Sequence, residues 1–569
     1  MKRFLLFSLA LILMGSLVFA GGGGQQSSSS SSTSSALTRP GDWTTRYSEP
    51  VTVSIGRSGR AVTDFGPGED IENNAYNRWI REKYNIIVKS AFYLPEADYI
   101  RRVTLAIASS DIPDILQLNN ALQLNELMES GMVEDLTGLF DKWGSPLYKA
   151  AVDTFGGLRE AMYSCYMNGR QYAMSTIAPP GQDNLIWIRE DWRVRLNLPE
   201  PKTTDDFIRL AEAFVQNDMA GNRTTTGIEL QPPIVGRWGG LMTADPWFNA
   251  MGAYPGLWID DGRGRITYGS ILPEVKEGLR LMRDLYARGI IPRDFVTRDH
   301  FAVTAAGQSG VISSAWWGSG TLFNLTRNNN PNADWRPYNW QSPTTGKRHT
   351  YSQNVNYGWG VVRKGYSNPE VLIRFLNLQA EVRAYYDGVQ LSAEEEARWQ
   401  PVIPMEVKEA YYGNQTIDWV QWPVALMTNF ADFIPRLARY EMLNVERFKA
   451  GDTAGMSRAT LINIENIVNW ERGDRTNYGP WMSYMRYRAK CFVHDDFNSG
   501  SLDIKKAYYP YSTETMQARW ANLTDLQNLA FSNIIMGTVP LDHFDTFVRD
   551  WLAQGGSRII DEVSKQFGK

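Results

Sequence analysis

Apolar and polar positions follow two periods along much of the chain. Residues 50–56, PVTVSIG, are a β-branched alternating run ending in glycine, which predicts a first strand. Residues 69–85 carry Ile71, Ala75, Trp79 and Ile80 at helical spacing. Residues 85–93, NIIVKSAFY, predict a second strand. Residues 96–109 set Tyr99, Ile100, Val103, Leu105, Ala106 and Ile107 on an apolar helical stripe. Residues 111–119, DIPDILQLN, predict a third strand with Pro113 near its start. This β-α-β-α-β order predicts parallel pairing and an α/β layer architecture.

A second cycle starts at residues 184–191, NLIWIRED, a continuous apolar strand that ends in charge. Residues 203–218 predict a helix with Thr203 or Thr204 as N-cap and acids in its first turn. Residues 273–291 predict another, with Pro273 near its first position and Gly289 as its stop. GVISSAWW (310–317) and GWGVVRK (358–364) read as strands, and residues 368–387 as a long helix. From about residue 420 the pattern is mostly helical, and no repeat of fixed period occurs.

At 569 residues the chain exceeds one compact core, so two or more domains are expected. The formal net charge is -4 and no long basic run is present, which argues against nucleic acid or an anionic membrane as partner. Lys2 and Arg3 precede FLLFSLALILMGSLVFA, an apolar run short for a membrane span. Val18 and Ala20 fit a signal-peptidase site, so residues 1–20 are expected to be a signal peptide. No cysteine follows the run, so lipid anchoring is not expected. Residues 21–45, opening GGGGQQSSSSSSTSSALT, read as a flexible tether. Export to the periplasm or the cell exterior is the expectation. Cys165 and Cys491 then form either one disulfide or two buried thiols.

No phosphate loop, HExxH zinc motif or GxSxG nucleophile elbow occurs. His300, His349, His494 and His543 make no metal spacing. The acidic pairs Asp260–Asp261 and Asp495–Asp496 are neighbours in sequence, whereas glycosidase carboxylates come from separate segments. DDGRGR (260–265) is expected to be a turn between strands. NDMAGNRTTTG (217–227) superficially suggests a calcium loop, but Met219, Ala220 and Arg223 fall where oxygen ligands should be. A plain turn is expected there, with no metal, no cofactor and no catalytic residue.

The aromatic residues change the picture more. The chain holds 20 Trp and 27 Tyr, and several stand among glycines. DPWFNAMGAYPGLW (245–258) holds Trp247; SSAWWGS holds Trp316 and Trp317; NYGWG holds Trp359; DWVQWP holds Trp422. A sugar offers an apolar C–H face to an indole and hydroxyls to Asp, Asn or Arg. Strand alternation would send the adjacent rings of Trp316 and Trp317 to opposite faces, Trp317 toward the ligand and Trp316 packed behind.

Ordered segments then carry a family resemblance. ADYIRRVTLAIASSDIPDILQL (97–118), ESGMVEDLTGLFDKW (129–143) and MNGRQYAMS (167–175) are followed by IWIREDWRVRLNLPEPKTTDDFIRLAEAF (186–214) and LRLMRDLYARGIIPRDF (279–295). Together, over roughly residues 50–390, they resemble family 1 of the extracellular solute-binding proteins, in particular the large oligosaccharide-type proteins of ABC importers. The resemblance implies a two-lobed periplasmic-binding-protein fold of type II, with a central cleft, hinge crossings and extra C-terminal helices. The N-terminal lobe would take residues 46–180 and about 350–410, and the C-terminal lobe 181–349 and about 411–569. Crossings are expected near 176–184, 345–357 and 395–415. The partners implied are a carbohydrate, expected to be an oligosaccharide, and a membrane permease, with the protein a monomer. A peptide ligand or a secreted glycosidase are the alternatives. Expected ligand-binding residues are Trp317, Trp316, Trp247, Trp359 and Trp422 for stacking, and Asp183, Asn119 and Asp245 for hydroxyls. Arg57 and Arg60 would reach an acidic sugar.

Overall fold

The computed structural model describes residues 42–59, 68–154, 162–176, 184–235, 241–316, 318, 322–352, 358–387, 423–424, 433–456, 458–510 and 512–569. The predicted signal segment, most of the tether, and Arg60, Asp183, Trp317 and Trp422 lie outside the described residues.

Three strands open the chain: β1 (Val51–Ser58), β2 (Ile86–Leu94) and β3 (Ile115–Leu118). β1 pairs in parallel with β2 from Val51↔Ile86 and with β3 at Ile55↔Ile115, as the alternation of strands and helices predicts. The crossovers include helices Ala75–Tyr84 and Glu96–Ala108. The first starts later than its apolar spacing suggests. Asn74 stands in extended backbone and its side chain accepts the Asn77 N–H, so the capping amide sets the start. Residues 166–175 fold as a small hairpin followed by a short strand. Asn168 and Gly169 adopt positive φ of 51° and 78° and turn a small hairpin, after which β4 (Ala173–Ser175) begins.

A second sheet follows, made of β5 (Leu185–Arg189), β6 (Thr226–Ile228), β7 (Ser309–Ser314) and β8 (Trp335–Tyr338) in the order β8-β5-β7-β6. β5 is antiparallel to β7 and β8, and β7 is parallel to β6. All five residues of β5 are buried, which explains its unbroken apolar run. Helix Thr204–Gln216 carries a full capping box between Thr203 and Asp206. β9 (Trp359–Val362) then returns to the first sheet and lies antiparallel between β3 and β4.

The AWW segment departs from expectation. β7 stops at Ser314, and the Gly318 N–H donates to the Ala315 carbonyl at 3.0 Å, so Trp316 sits in a turn. A Cβ on residue 318 would lie 2.1 Å from Ser314 Oγ; glycine allows the turn to fold against the strand end. Strand alternation therefore does not assign the two rings.

The apolar residues gather in separate cores. Val53, Ile80, Ile115, Leu116, Val361 and Leu376 belong to the first. Ile186, Phe214, Trp247, Leu279, Phe531 and Trp551 belong to the second. Leu185, Trp187, Trp335, Trp470 and Trp481 belong to a third, on the other face of the second sheet. The C-terminal third supplies helices to the last two: Phe433–Lys449, Arg458–Glu471 and Tyr478–Ser499 to the third core, and Glu514–Met536, His543–Trp551 and Ser557–Gln566 to the second. Two short strands interrupt this helical region. Leu502–Lys505 pairs in parallel with Arg348–Tyr351, and Ala507–Tyr508 pairs antiparallel with Trp258–Asp260. Among the described residues no helix is long and apolar enough to cross a membrane.

Candidate ligand-binding site

Strand register groups the strand ends of each sheet; most of the crossings expected near 176–184, 345–357 and 395–415 lie outside the described residues. Trp359 pairs with both Leu118 and Ser175, so the last residues of β3 and β4 and the first of β9 share one end of the first sheet. The end of β1, running parallel to β3, lies there too. In the second sheet Leu185 pairs with Ser314 and Ile186 with Tyr338, so the start of β5 meets the ends of β7 and β8. The chain leaves the first sheet after Thr176, whose N–H donates to the Gly358 carbonyl at 2.9 Å. It joins the second at Leu185. Ligands of open α/β sheets bind outside the carboxyl ends of strands, and these ends carry the polar and aromatic groups.

On the first sheet, Arg57 is 4% exposed and its guanidinium lies 5.1 Å from the Tyr93 ring centroid. Burial lowers its pKa to about 10, against the smaller opposing effect of Tyr93 and Tyr99. The Asn119 amide donates to Ser58 Oγ at 2.8 Å, tying the ends of β3 and β1. Trp359 is buried and its Nε1 donates to Ser164 Oγ at 2.8 Å.

On the second sheet, Asn184 precedes β5. Its carbonyl accepts Trp340 Nε1 at 2.7 Å and its Oδ1 accepts Arg348 Nη1 at 3.4 Å. Asp245 is buried and accepts the Tyr351 hydroxyl at 2.7 Å. Trp247 is fully buried in the second core, so the structure corrects its expected role as a stacking platform: no face of its ring is open. Trp316 is half-buried at the edge of the third core. Lys490 Nζ stands 4.0 Å from its ring centroid and Arg486 Cζ 5.5 Å. Sequence reading missed both cations because they arrive on helix Tyr478–Ser499, far along the chain. Their four-residue spacing, which puts them on one helix face, was the available signal.

The rejected chemistry has structural roles. Asp260 pairs with Lys569 and Asp261 accepts the Arg263 N–H at 2.8 Å in the β-turn. In the loop after helix Thr204–Gln216, Asp218 accepts the Arg223 N–H at 2.8 Å and the Thr225 hydroxyl at 2.9 Å, so the loop's own donors occupy both carboxylate oxygens. Among the described residues no group of three or more His, Cys, Asp and Glu is arranged to hold a metal. Cys165 and Cys491 are buried free thiols. His349 is held between Thr345 Oγ1 at 2.6 Å and Asp503 at 2.9 Å.

His300 is fully buried at the start of helix His300–Ala305, and burial lowers its pKa to about 4 while Asp299 opposes weakly. The folded value lies below the unfolded one, near 6.5. Stability is therefore full above about pH 6.5 and falls toward pH 4, by about 3 kcal/mol at most. Thermal denaturation at pH 7.5 and 5 should show this loss, and His300→Phe should reduce it. An unchanged pH slope in the variant would contradict the assignment.

Two separate α/β sheets, each with its own core and helices, define a two-lobed fold. The family model for bacterial extracellular solute-binding protein matches residues 70–382, and the chain belongs to that family. It is 24% identical over 315 residues to the fructooligosaccharide ABC transporter substrate-binding protein FusA of Streptococcus pneumoniae, covering 52% of this chain and 54% of the relative. It is also 24% identical over 209 residues to the polygalacturonan/rhamnogalacturonan-binding protein YtcQ of Bacillus subtilis, covering 36% of this chain and 38% of the relative. The chain thus spans about half the length, or less, of the curated relatives it matches. The fold is shared with an HMO binding ABC-transporter associated solute binding protein from Bifidobacterium longum infantis, at TM-score 0.54 and 14% identity, over 91% of this chain and 98% of that one.

Proposed function

We propose that the protein captures an oligosaccharide between its lobes, outside the cytoplasm, and delivers it to the permease of an ABC importer. The observation that carries this reading is that polar and aromatic groups stand at the strand ends of both sheets: Arg57 and Asn119 on the first, Asn184 and Trp316 on the second. Amides and cations suit sugar hydroxyls, and the half-buried indole adds an apolar edge. The carbohydrate specificities named for FusA and YtcQ support the ligand class. The lobes comprise residues 46–180 with about 350–410, and 181–349 with about 411–569. The protein acts as a monomer by binding and closing, without catalysis, metal or cofactor. Trp317, Asp183, Arg60 and Trp422 join the site in this reading.

A thermal-shift screen with oligosaccharides and oligopeptides tests it. A cognate sugar at 100 times its Kd should stabilise the protein by about 2.7 kcal/mol. Stabilisation by peptides alone would overturn the carbohydrate reading, and turnover of the sugar would overturn the non-catalytic one.

A further inference from the structure

We infer that the segment Lys505–Tyr509 clamps both roots of one lobe crossing and sets the pivot on which the lobes move, with Tyr163 and Tyr509 as its positioning residues. This rests on the two-lobed fold and not on the class of solute bound.

Strand Arg348–Tyr351 stands with the second lobe, and β9 lies in the first sheet. Residues 353–357, outside the described residues, join the two. The roots of that passage are Ser352 on one side and Gly358 on the other. Every polar group of Ser352 is bound by the clamp. Its N–H donates to the Lys505 carbonyl at 3.0 Å, its Oγ accepts the Ala507 N–H at 2.8 Å, and its carbonyl accepts the Tyr509 hydroxyl at 2.7 Å. The clamp is itself fixed to the second lobe, because Leu502–Lys505 pairs with Arg348–Tyr351 and Ala507–Tyr508 with Trp258–Asp260.

At the other root, the Gly358 carbonyl accepts the Thr176 N–H, and Trp359 Nε1 donates to Ser164 Oγ. Ser164 lies in the short turn Tyr163–Cys165, and Met162 and Cys165 on either side of it belong to the first core. From this turn the Tyr163 hydroxyl donates to the Tyr509 carbonyl. Tyr509 thus holds Ser352 with its side chain and meets the first lobe with its backbone. The Tyr163 ring also lies 5.6 Å from that of Phe567, centroid to centroid, and Phe567 packs on Tyr508 at 5.0 Å. Phe567 follows helix Ser557–Gln566, whose Ser564 hydroxyl donates to the Ile266 carbonyl at 3.0 Å, so this ring also travels with the second lobe.

Both contacts to the second lobe are made by the one side chain of Tyr163, so they hold a point and not a face. The lobes can rotate about that point but not separate there. The range of orientations that solute capture must collapse is narrowed accordingly.

Distance measurement between spin labels on Leu105→Cys, in the first lobe, and Leu529→Cys, in the second, tests this on the full chain. Both positions are exposed. Cys165 and Cys491 are buried, and burial pushes both thiols up, Cys491 to about 11, so they label slowly. Tyr163→Phe removes the hydroxyl and keeps the ring; it should broaden the distance distribution. Tyr163→Ala should broaden it further and shift its mean by more than about 2 Å. Tyr509→Phe, which removes the donor to Ser352, should broaden it as well. Hydrogen exchange in β3 and β7 should stay within about twofold of the wild type, whereas a residue that only stabilised its own lobe would raise it. Unchanged distributions in all three variants would overturn the inference. So would broadening accompanied by faster exchange in β3 or β7, because the substitution would then loosen a lobe and not the pivot. No solute is needed, so failure here leaves the carbohydrate reading standing, and a peptide hit in the thermal-shift screen leaves the pivot standing.

Discussion

Alanine at Trp247 should lower the stability of the second lobe by about 3–5 kcal/mol, measured by urea denaturation followed by circular dichroism. The indole is fully buried, and its helix, Asp245–Asn249, packs against helix Glu274–Ala287. That contact is close: a Cβ on Gly278 would lie 2.2 Å from Phe248 Cδ1. Little room is left for the surroundings to collapse into the vacated volume, so the cavity cost adds to the lost transfer energy. At a temperature where both proteins are folded, sugar affinity should change by less than about twofold, because the ring has no open face. A variant of near-normal stability that loses binding would put Trp247 back among the ligand contacts.

Asp334→Ala should cost about as much, 3–5 kcal/mol, for a different reason. The carboxylate is 2% exposed just before β8. It accepts Trp481 Nε1 at 3.0 Å, from helix Tyr478–Ser499, and Arg336 at 3.1 and 2.9 Å. Removing it takes the acceptor from a buried indole N–H and the closest counter-charge from Arg336, whose remaining acid, Glu190, lies 3.7 Å away. Asp334→Asn keeps an acceptor for the indole and should lose less. The damage should concentrate where the helix docks, so hydrogen exchange in residues 478–499 should accelerate beyond that of the first lobe. Because this helix carries Arg486 and Lys490 to Trp316, ligand affinity should fall as well. A loss below about 1 kcal/mol would mean that the helix is held without this bridge.

Local signals in the chain foretell much of the architecture. The parallel β1–β2–β3 unit follows from alternating strand and helix patterns, and the start of helix Thr204–Gln216 from the Thr203-Thr204 pair and the acids after it, of which the structure selects Thr203 as cap. The errors have equally local causes. Asn74 capped a helix inside its apolar stripe, and β7 ended at Ser314, short of Trp316. The candidate site was less legible, because its geometry depends on contacts between distant segments. Aromatic residues among glycines do not reveal burial: Trp247 and Trp316 share that pattern, yet one is core and the other half-buried. Asn184 owes its position to Trp340 and Arg348, and Trp316 owes its charged surroundings to a C-terminal helix; no spacing within one segment encodes either.

In the proposed function one sugar is gripped from both sheets at once. The most direct test is the calorimetric Kd of the best oligosaccharide for the wild type, Asn119→Ala and Trp316→Ala. The account predicts one ligand per protein and affinity weakened about tenfold by a change on either sheet. Unchanged affinity in both variants would contradict it.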